Sequence, residues 1–426
     1  MGNRGRRLPG PSGELSGRVR VPGSKSITNR GLIAAAVAGG GVLHTPLDGD
    51  DTRRLARSLD RAGWSVTWED ELRVGERRLP SDPPVLDLGD SGTGARFMIA
   101  LCASVQGRAR VDGSVRLRER PFSPLLATLR GLGASLTSRE DGLPVDLHGG
   151  QLAGGRIVIR PGPSSQFVSA LLLTGPLMRH ALELEVVGPL PSAPYLDLTE
   201  AVLRTFGAEV ESSPDRRSWR VGCRPLSPET ALAVEGDWSA AAFPLAAVAV
   251  AGGRVEIGPL DPSSAQPDRC VVDLLVDAGV SIFSDGPWIV AEGAAQRPVH
   301  ADVEQSPDLF PALAVVAASG PPGSSLRGLS NLRFKESDRL TAMITNVRRL
   351  GAELDVSDDV VKVVRPMRRG GRDVVDVTAA DDHRIAMAMA VAALVAGPLR
   401  LDRPSCVDKS FPGFWDEWRA VVGEPR

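Results

Sequence analysis

Polar and cationic residues stand directly before a run of small apolar residues at 21–40. The stretch VPGSKSITNR places Lys25 and Arg30 just ahead of GLIAAAVA, a run that predicts a buried helix. The serines, threonine and asparagine of this stretch are residue types that cap helix N-termini. The cations need another reason, because a positive charge opposes the dipole at a helix N-terminus. They are expected there if an anion also binds, so the segment predicts binding of phosphate or carboxylate groups.

Further cations recur at helix starts or in polar loops. The segments are GDSGTGAR with Arg96, RLRERP at 116–121, NLRFKESDR at 331–339, DDHR with Arg384 and DKSFP at 408–412. Two carboxylates accompany them: Asp308 lies ahead of an apolar run, and Glu336 lies among cations. A protein that only binds anions gains nothing from negative charge at these places. The two carboxylates therefore argue against a protein that only binds anions.

Lysine usage points to the same segments. Of 50 basic residues only four are lysine, and three of these, Lys25, Lys335 and Lys409, lie in cationic segments. Lys362 lies in the alternating DDVVKVVRP and is predicted to be a strand surface residue. Because an ammonium is a compact point charge and a guanidinium is a planar fork, the rare lysines mark positions where the smaller group is needed.

Composition excludes several classes of protein. The net charge of −2 argues against a nucleic-acid or membrane-surface protein. No apolar run reaches about 18 residues, and no apolar region follows the basic MGNRGRRLPGPSG, so neither a membrane span nor a secretory signal is expected. Four scattered cysteines indicate a reduced, cytoplasmic protein without a structural metal.

An internal repeat predicts the architecture. Each copy runs from a polar segment through a small-residue helix and a glycine-bounded strand to a second helix and strand. The polar segments lie near Ser24, Ser91, Ser164, Asp237, Pro307 and Asp382, about 67 to 75 residues apart. The sixth copy lacks the last strand. At 426 residues the chain exceeds one ordinary core, so we predict an α/β protein of two domains with three repeats each. The apolar first helices are expected to be buried on all sides.

Two other functions and a purely structural role could also account for the cationic segments. GSKS suggests a phosphate-binding loop of a nucleotide kinase, but no glycine stands immediately before Lys25. A non-catalytic anion-binding scaffold of six repeats is the second alternative. Capping alone accounts for Asp237 and Ser239, and it is the structural alternative for Asp308. His383 taken alone is more typical of a structural residue than of an acid–base group.

Nine motifs in one order make the family recognisable. They are PGSKSITNR, GDSGTGAR, RERP, SSQF, SAPY, the PD of SPDLFP, NLRFKESDRL, DDHRIAMA and DKSFP. With them the chain resembles the 5-enolpyruvylshikimate-3-phosphate synthase family (3-phosphoshikimate 1-carboxyvinyltransferases) over essentially its whole length. The resemblance implies the enolpyruvyl transferase fold, a two-domain inside-out α/β barrel of six βαβαββ-type repeats, three per domain. One domain would be 17–233 and the other 234–426 with 1–16, with the active site in the cleft between them.

The resemblance also implies the reaction and its residues. The enolpyruvyl group of phosphoenolpyruvate moves by addition–elimination to the 5-hydroxyl of shikimate 3-phosphate, and phosphate is released. No cofactor, metal, nucleic acid or membrane is implied; the expected protein is a cytoplasmic monomer on the route to chorismate and the aromatic amino acids. The implied ligands of shikimate 3-phosphate are Lys25, Ser26, Arg30, Ser164, Ser165, Gln166, Ser192, Tyr195, Asp308, Asn331 and Lys335. Those of phosphoenolpyruvate are Lys25, Gly92, Arg120, Gln166, Arg339, Arg384 and Lys409. Asp308 and Glu336, with Lys25, would transfer protons.

Two residues depart from the family pattern, and one alternative remains close. Asp90 stands where asparagine is more usual, which adds negative charge near the phosphoenolpyruvate pocket, and Phe97 stands where a smaller residue or proline is common. The pocket beside Gly92 is also where members of the family bind the inhibitor glyphosate.

The sister enzyme, UDP-N-acetylglucosamine enolpyruvyl transferase, carries a reactive cysteine in the loop corresponding to RLRERPFSP, which here has none. Cys102 lies in an apolar helix and is expected to be a core residue.

Overall fold

The computed structural model describes residues 5–10 and 13–423. Within these ranges the chain forms thirteen α-helices: α1 Lys25–Ala38, α2 Asp50–Arg61, α3 Gly92–Ser104, α4 Val115–Arg118, α5 Ser123–Gly131, α6 Gln166–Thr174, α7 Tyr195–Thr205, α8 Trp238–Ala251, α9 Val271–Asp277, α10 Phe310–Ser319, α11 Arg339–Arg349, α12 His383–Ala396 and α13 Phe414–Val422.

The same ranges contain twenty-three strands: β1 Arg6–Leu8, β2 Leu15–Arg20, β3 Gly41–His44, β4 Trp64–Trp68, β5 Leu72–Arg77, β6 Val85–Asp87, β7 Gly107–Asp112, β8 Ser135–Arg139, β9 Gly142–Gly149, β10 Gly155–Ile159, β11 Leu182–Val186, β12 Val210–Ser212, β13 Ser218–Val221, β14 Ala231–Ala233, β15 Gly253–Gly258, β16 Ser281–Asp285, β17 Trp288–Glu292, β18 His300–Asp302, β19 Ser325–Arg327, β20 Glu353–Val356, β21 Val360–Arg365, β22 Val375–Val377 and β23 Leu399–Leu401. They form six small sheets among the described residues.

The second repeat shows the unit of construction. Strand β6 is followed by α3 and then by β7, which pairs in parallel with β6. Parallel neighbours in a sheet need such a helical crossover between them. After α4 and α5, the hairpin β8–β9 closes the sheet, with β9 antiparallel to β7. The third and fifth repeats have the same order, β10-β11-β13-β12 and β18-β19-β21-β20. These are the βαβαββ-type repeats that the family resemblance implied.

The first and fourth repeats take their first strand from a distant part of the chain. Strand β14 pairs in parallel with β3, so that Ala231 lies opposite Val42. Strand β2 pairs in parallel with β15 over its whole length, from Leu15 opposite Gly253 to Arg20 opposite Gly258. The polypeptide therefore passes twice between its two halves.

Two compact units follow from this connectivity. The first unit runs from Gly23 to Val234, and the second comprises the residues up to Pro22 together with those from Glu235 onward. The boundaries expected from the sequence, 16/17 and 233/234, differ from these by six residues and one residue, because all of β2 pairs in the second unit. Residues 1–4, 11 and 12 of the expected N-terminal piece lie outside the described residues, and with them six of the thirteen residues of the segment MGNRGRRLPGPSG, for which no secretory signal was expected.

The sixth repeat is shorter than the others. Strands β22 and β23 are parallel around α12, but no hairpin follows; instead β1 pairs antiparallel with β23, with Leu8 opposite Leu399. The chain then ends its described part with α13, which packs against β2. The N-terminal strand thus supplies the third strand of this sheet.

Each unit is organised around three buried helices. Helices α1, α3 and α6 pack together in the first unit, and α8, α10 and α12 pack together in the second. Every residue of α12 from His383 to Val395 is buried, and α8 is buried from Trp238 to Val250. The prediction that the first helices are buried on all sides is therefore confirmed. Their alanine-rich surfaces allow close packing, and their N-terminal residues carry the polar segments described next. No helix in the described ranges is long and apolar enough to cross a bilayer.

Candidate active site

The start of α1 carries the first cationic group. Lys25 is the first residue of α1 and follows Ser24, whose side chain makes no capping hydrogen bond. The Lys25 ammonium nitrogen lies 3.5 Å from Oδ2 of Asp51, a buried carboxylate in the first turn of α2. Sequence analysis missed Asp51, because its charge is indistinguishable there from an ordinary acidic first turn. Lys25 therefore has a carboxylate partner without a bound substrate.

Arg30 joins α1 to α6 and α7. Its Nε donates to Oγ1 of Thr199 at 2.8 Å, and its terminal nitrogens donate to the carbonyl oxygens of Ser26 (2.9 Å) and Tyr195 (3.1 Å) and to Oγ of Ser169 (3.3 Å). The guanidinium is buried and forms no salt bridge within the described chain. Burial lowers the pKa of Arg30 to about 10, with a weaker opposing influence from Tyr195. A buried cation held only by neutral acceptors is suited to receiving an anion.

Phe97 lies beneath this arginine. Its ring is buried in α3, and the Arg30 guanidinium carbon is 5.7 Å from the ring centroid. The arrangement is a cation–π contact in the interior of the unit. Phe97, which stands where the family commonly has a smaller residue or proline, thus packs against Arg30 and does not line an open pocket.

Arg96 fixes the position of Gln166 at the start of α6. One terminal nitrogen of Arg96 donates to the Gln166 amide oxygen at 2.5 Å, and the other donates to the Pro121 carbonyl oxygen at 3.0 Å. The guanidinium also stacks on the rings of Phe122 and Phe167. Because the amide oxygen of Gln166 is engaged, its NH₂ group is the end available as a donor to a ligand.

The serines predicted as ligands lie at the starts of α6 and α7. Oγ of Ser164 accepts from the backbone N–H of Gln166 at 3.3 Å, and the next residue, Ser165, is buried as the N-cap of α6. Ser192 is buried in the turn before α7 with a φ of 59°, a left-handed conformation that non-glycine residues seldom adopt. Such strain is typical of functional turns.

Gly92 and Arg120 are in direct contact at the start of α3. A Cβ atom at Gly92 would lie 2.6 Å from the Arg120 guanidinium carbon, so a larger residue here would require the guanidinium to shift. A terminal nitrogen of Arg120 lies 3.4 Å from the carbonyl oxygen of Asp90, and its buried Nε has no partner within the described chain. The Asp90 carboxylate accepts a short hydrogen bond from the Ser114 hydroxyl. The extra charge at 90 is therefore engaged by the N-cap of α4.

The second unit contains a cluster of carboxylates around two arginines. Asp308 lies in the 3₁₀ helix Pro307–Leu309, and its two oxygens accept from Arg339 at 2.6 Å and from Arg384 at 2.8 Å. Arg339, the first residue of α11, also donates to Glu336 at 2.8 Å and to Asp382 at 2.7 Å. Arg339 and Arg384, two of the three arginines predicted to bind phosphoenolpyruvate, are thus already paired with acids, a result that the sequence did not predict.

The two arginines control the acidity of Asp308. Burial opposes its ionisation, but the attraction of Arg384 and Arg339, with a smaller contribution from Lys335, outweighs burial and holds the pKa of Asp308 well below its usual range. The carboxylate makes no capping hydrogen bond to α10 or to the 3₁₀ helix that contains it. The capping interpretation of Asp308 is therefore wrong.

Asp382 performs a structural task in the same cluster. One oxygen accepts from the backbone N–H of Arg384 and so caps α12, and the other accepts from Arg339 and from the Ser337 hydroxyl. The side chain is fully buried. Asp382 thereby fixes the start of α12 relative to the start of α11.

Three further predicted residues lie on elements that pack against these helices. Asn331 is buried in the 3₁₀ helix Ser330–Phe334, and neither its amide oxygen nor its amide nitrogen has a partner within the described chain. Lys335 follows this helix and is close enough to Asp308 to influence its pKa. Lys409 ends the 3₁₀ helix Pro404–Lys409, which packs on α12. An unpaired buried amide such as that of Asn331 is expected to meet a ligand or water.

Asp268 is a buried carboxylate that sequence analysis missed. It lies in the 3₁₀ helix Pro267–Cys270 and accepts a short hydrogen bond from the Ser239 hydroxyl. Burial, with the nearby charge of Asp308, raises the pKa of Asp268 to about 6, although Arg384 opposes the rise. Its segment SSAQPDRC contains a single cation, Arg269, and no helix-start pattern like those of the cationic segments, so nothing in the sequence marked it. Asp237 caps α8 through the backbone N–H of Ala240, as expected.

Within each unit, then, the structure brings most predicted residues together. Hydrogen bonds of Arg30 and Arg96 link the starts of α1, α6 and α7 in the first unit, and salt bridges link Asp308, Glu336, Arg339 and Arg384 in the second.

The expected core position of Cys102 is confirmed, and burial raises the pKa of its thiol to about 12. Among the residues that the structure describes, no group of His, Cys, Asp and Glu side chains is arranged to hold a metal ion.

The fold is that of the enolpyruvyl transferases. The structure of the enolpyruvyl transferase NikO from Streptomyces tendae superimposes with a TM-score of 0.75 over 99% of this chain and 98% of that chain, at 21% identity, a likeness of fold alone. The family model of EPSP synthase (3-phosphoshikimate 1-carboxyvinyltransferase) matches residues 9–418. The chain belongs to the EPSP synthase family.

Individual relatives agree with this assignment. The 3-phosphoshikimate 1-carboxyvinyltransferase of Pseudoalteromonas translucida is 35% identical over 96% of this chain and 98% of its own length. That of Methanoculleus marisnigri is 36% identical over 97% of this chain and 98% of its own length. An EPSP synthase structure from Acinetobacter baumannii gives a TM-score of 0.78 at 25% identity and covers 98% of both chains.

Proposed function

We propose that this chain is a 3-phosphoshikimate 1-carboxyvinyltransferase. It transfers the enolpyruvyl group of phosphoenolpyruvate to the 5-hydroxyl of shikimate 3-phosphate and releases inorganic phosphate. The observation that carries the proposal is the Asp308 carboxylate held between Arg339 and Arg384, with Glu336 on the same arginine. An acid–base group within an anion site is what this reaction needs, because both substrates are anionic and the attacking group is a hydroxyl.

Shikimate 3-phosphate is bound, in this proposal, by residues of both units. Arg30 is the central cation in the first unit, since it is buried and has only neutral partners. Lys25 and uncharged polar side chains at or near the starts of α1, α6 and α7 complete the set on that unit. These side chains are those of Ser26, Ser164, Ser165, Gln166, Ser192 and Tyr195. Asn331, Lys335 and Asp308 contribute from the second unit. The unpaired buried amide of Asn331 supports its assignment as a ligand.

Phosphoenolpyruvate is assigned mainly to arginine side chains of the two units. Arg339, Arg384 and Lys409 would hold it from the second unit, and Lys25, Gln166 and Arg120 over Gly92 from the first. Guanidinium groups bind carboxylate and phosphate with paired hydrogen bonds, which orient the substrate as well as attract it. The Gln166 NH₂ group, directed by Arg96, adds a neutral donor.

The chemistry divides into addition and elimination. In the addition, the 5-oxygen bonds to C2 of phosphoenolpyruvate as its proton passes to Asp308, and C3 gains a proton from Glu336 or Lys25. In the elimination, the bond from C2 to the phosphate oxygen breaks, and C3 returns a proton to form the enol ether. An alcohol is far too weak an acid to ionise first, so the base must act in the transition state.

The test is an assay of phosphate release. Purified protein is incubated with shikimate 3-phosphate and phosphoenolpyruvate together and with each omitted in turn; release is expected only with both. UDP-N-acetylglucosamine in place of shikimate 3-phosphate tests the sister activity. A protein that binds both substrates but releases no phosphate would instead be the anion-binding scaffold.

Oligomeric state and compartment are further parts of the proposal. We expect a monomer, which light scattering coupled to size-exclusion chromatography would report as the mass of one chain. A cytoplasmic location is expected from the four scattered cysteines, which are free in the described chain. Fractionation of the source cells tests it.

A further inference from the structure

Asp308 binds the arginine pair, Arg339 and Arg384, in the way that a substrate carboxylate would. It gives one oxygen to each guanidinium, at 2.6 and 2.8 Å. The arginine side chains are only 1% and 3% exposed, whereas that of Asp308 is 20% exposed. Of these three groups, the carboxylate is the one that solvent reaches.

The arginine pair has no surplus charge while Asp308 remains there. Arg339 also binds Glu336 and Asp382, so three carboxylates surround two guanidiniums. An arriving anion therefore meets a site without net positive charge. The free-energy cost of removing water from the anion is then not offset by electrostatic attraction to the site. Binding by exchange, in which the substrate takes the place of one carboxylate, avoids this obstacle.

Asp308 is the carboxylate best suited to leave, because its side chain is 20% exposed, against 12% for Glu336 and 0% for Asp382. Asp382 is fully buried, caps α12 and binds the Ser337 hydroxyl, so its removal would disrupt the helix starts. Asp308 caps no helix, and its carboxylate has no hydrogen-bond partner in the described chain other than the arginine pair. Its contacts can be replaced one for one by an anion of the substrate.

We propose that Asp308 is an internal surrogate for the phosphoenolpyruvate anion, which displaces it from the arginine pair and thereby frees it to act as the base. This inference rests on the proposed function, since it takes the arginines as phosphoenolpyruvate ligands and Asp308 as the proton acceptor. The exchange makes and breaks only salt bridges and hydrogen bonds. Its consequence is that the base becomes effective only after phosphoenolpyruvate has arrived.

The charges around Asp308 agree with such a switch. The groups that face it are Arg339 of α11, Arg384 of α12, Lys335 and Glu336 of the preceding loop, and Asp268 of the 3₁₀ helix Pro267–Cys270. While the arginines hold it, the low pKa of Asp308 makes it a poor proton acceptor. Once the two arginines bind the substrate instead, burial favours protonation of Asp308, and so do the two neighbouring carboxylates, Glu336 and Asp268.

The experiment measures the affinity for phosphoenolpyruvate without shikimate 3-phosphate, by equilibrium dialysis with radiolabelled phosphoenolpyruvate. Asp308→Asn keeps the shape but removes the competing charge, so we expect binding about tenfold or more tighter than that of the wild-type protein. Asp308→Ser also removes the charge and is measured in parallel, so that the comparison stands if one variant does not fold. Asp308→Glu keeps the charge and is expected to bind no more tightly than the wild type.

Asp382→Asn is the matched control, because it removes a carboxylate from the same arginine without removing the surrogate. We expect it to bind phosphoenolpyruvate more weakly than the wild type, because the Asp382 carboxylate holds the Arg339 guanidinium and the start of α12 in place. If both uncharged variants at 308 bind equally or more weakly than the wild type, Asp308 is a scaffold and the inference is overturned. Phosphate release by the wild type with both substrates is assayed on the same preparation. No release refutes the proposed function, whereas full release with unchanged variant affinities refutes only the surrogate role.

Discussion

Asp308 is the residue on which the proposed proton transfer depends. Asp308→Asn removes the acceptor but retains a polar side chain of the same size, so we expect a folded protein that binds shikimate 3-phosphate within a few-fold of the wild type. Turnover is expected to fall at least about a hundredfold, since general bases contribute about 10²- to 10⁴-fold. Calorimetric binding and steady-state phosphate release test the two halves of this prediction. Retention of more than about a tenth of the wild-type turnover would mean that the base lies elsewhere.

Gly92 tests the position of Arg120. In Gly92→Ala the new methyl would lie 2.6 Å from the guanidinium carbon, so the arginine must move. We expect KM for phosphoenolpyruvate to rise about tenfold or more with a smaller change in kcat, because a binding cation is displaced while the proton-transfer groups stay. Gly150→Ala is the control, since no atom lies within 4 Å of its added Cβ. Equal kinetics of the two variants would contradict the assignment of Arg120.

Asp268 predicts a pH dependence of stability. Its pKa of about 6 lies above the ordinary value of about 3.9, so the folded protein binds this proton more tightly than the unfolded chain does. The resulting stabilisation is fully present below about pH 4 and is lost as the pH rises through about 6. Asp268→Asn should therefore unfold at a higher temperature than the wild type near pH 8, and the difference should vanish near pH 4. Calorimetric scans across this range would refute the assignment if the difference were independent of pH.

At the scale of elements, helix starts are held in place by buried arginines as well as by caps. Arg30 spans α1, α6 and α7 with four hydrogen bonds, two of them to backbone carbonyls. Lysine keeps the charge but cannot reach all four acceptors from a single nitrogen. In Arg30→Lys we expect the free energy of unfolding to fall by about 1–3 kcal/mol, because buried acceptors lose their donors.

Chemical denaturation monitors this change, with Arg224→Lys as the control. Arg224 belongs to the same unit, but its side chain is 77% exposed, so its replacement is expected to alter stability by less than about 0.5 kcal/mol. The affinity for shikimate 3-phosphate should fall in Arg30→Lys and remain unchanged in the control. A fully stable Arg30→Lys protein with weakened binding would mean that Arg30 serves the ligand alone.

At the scale of the whole molecule, the N-terminal strands belong to the second unit. Leu8 of β1 is buried opposite Leu399 of β23, and the Arg6 guanidinium lies 4.4 Å from the Trp415 ring centroid. Leu8→Ala is expected to cost about 2–4 kcal/mol of local stability through the lost burial and the cavity left behind.

Hydrogen exchange measured by mass spectrometry localises this loss. We expect faster exchange in β22, β23 and α13 and no change in residues 23–234, because each unit has its own core. Leu79→Ala, at a side chain that is 62% exposed, is the control and should leave both units unchanged. Faster exchange throughout residues 23–234 in Leu8→Ala would contradict the division into two units.

The repeated order of polar segment, small-residue helix and strand could be predicted from the sequence because both signals are local. Alanine-rich runs such as IAMAMAVAALVA are apolar on every face, which requires burial wherever the chain folds, and α12 is buried accordingly. The exchange of β2 and β14 between repeats could not be predicted from periodicity, since a short strand carries no mark of its distant partner.

The sequence by itself determined which residues stand at helix starts, because capping types, glycines and apolar runs are read from neighbours along the chain. It also determined, through the ordered motifs, the family and thereby the candidate ligands. Only the tertiary structure decided which charges meet. Arg384 and Asp308 are 76 positions apart, Arg96 and Gln166 are 70 apart, and Arg30 and Thr199 are 169 apart. Such pairs depend on how the helices pack, and they decide whether a cation is free for a substrate or already bound to a carboxylate of the protein.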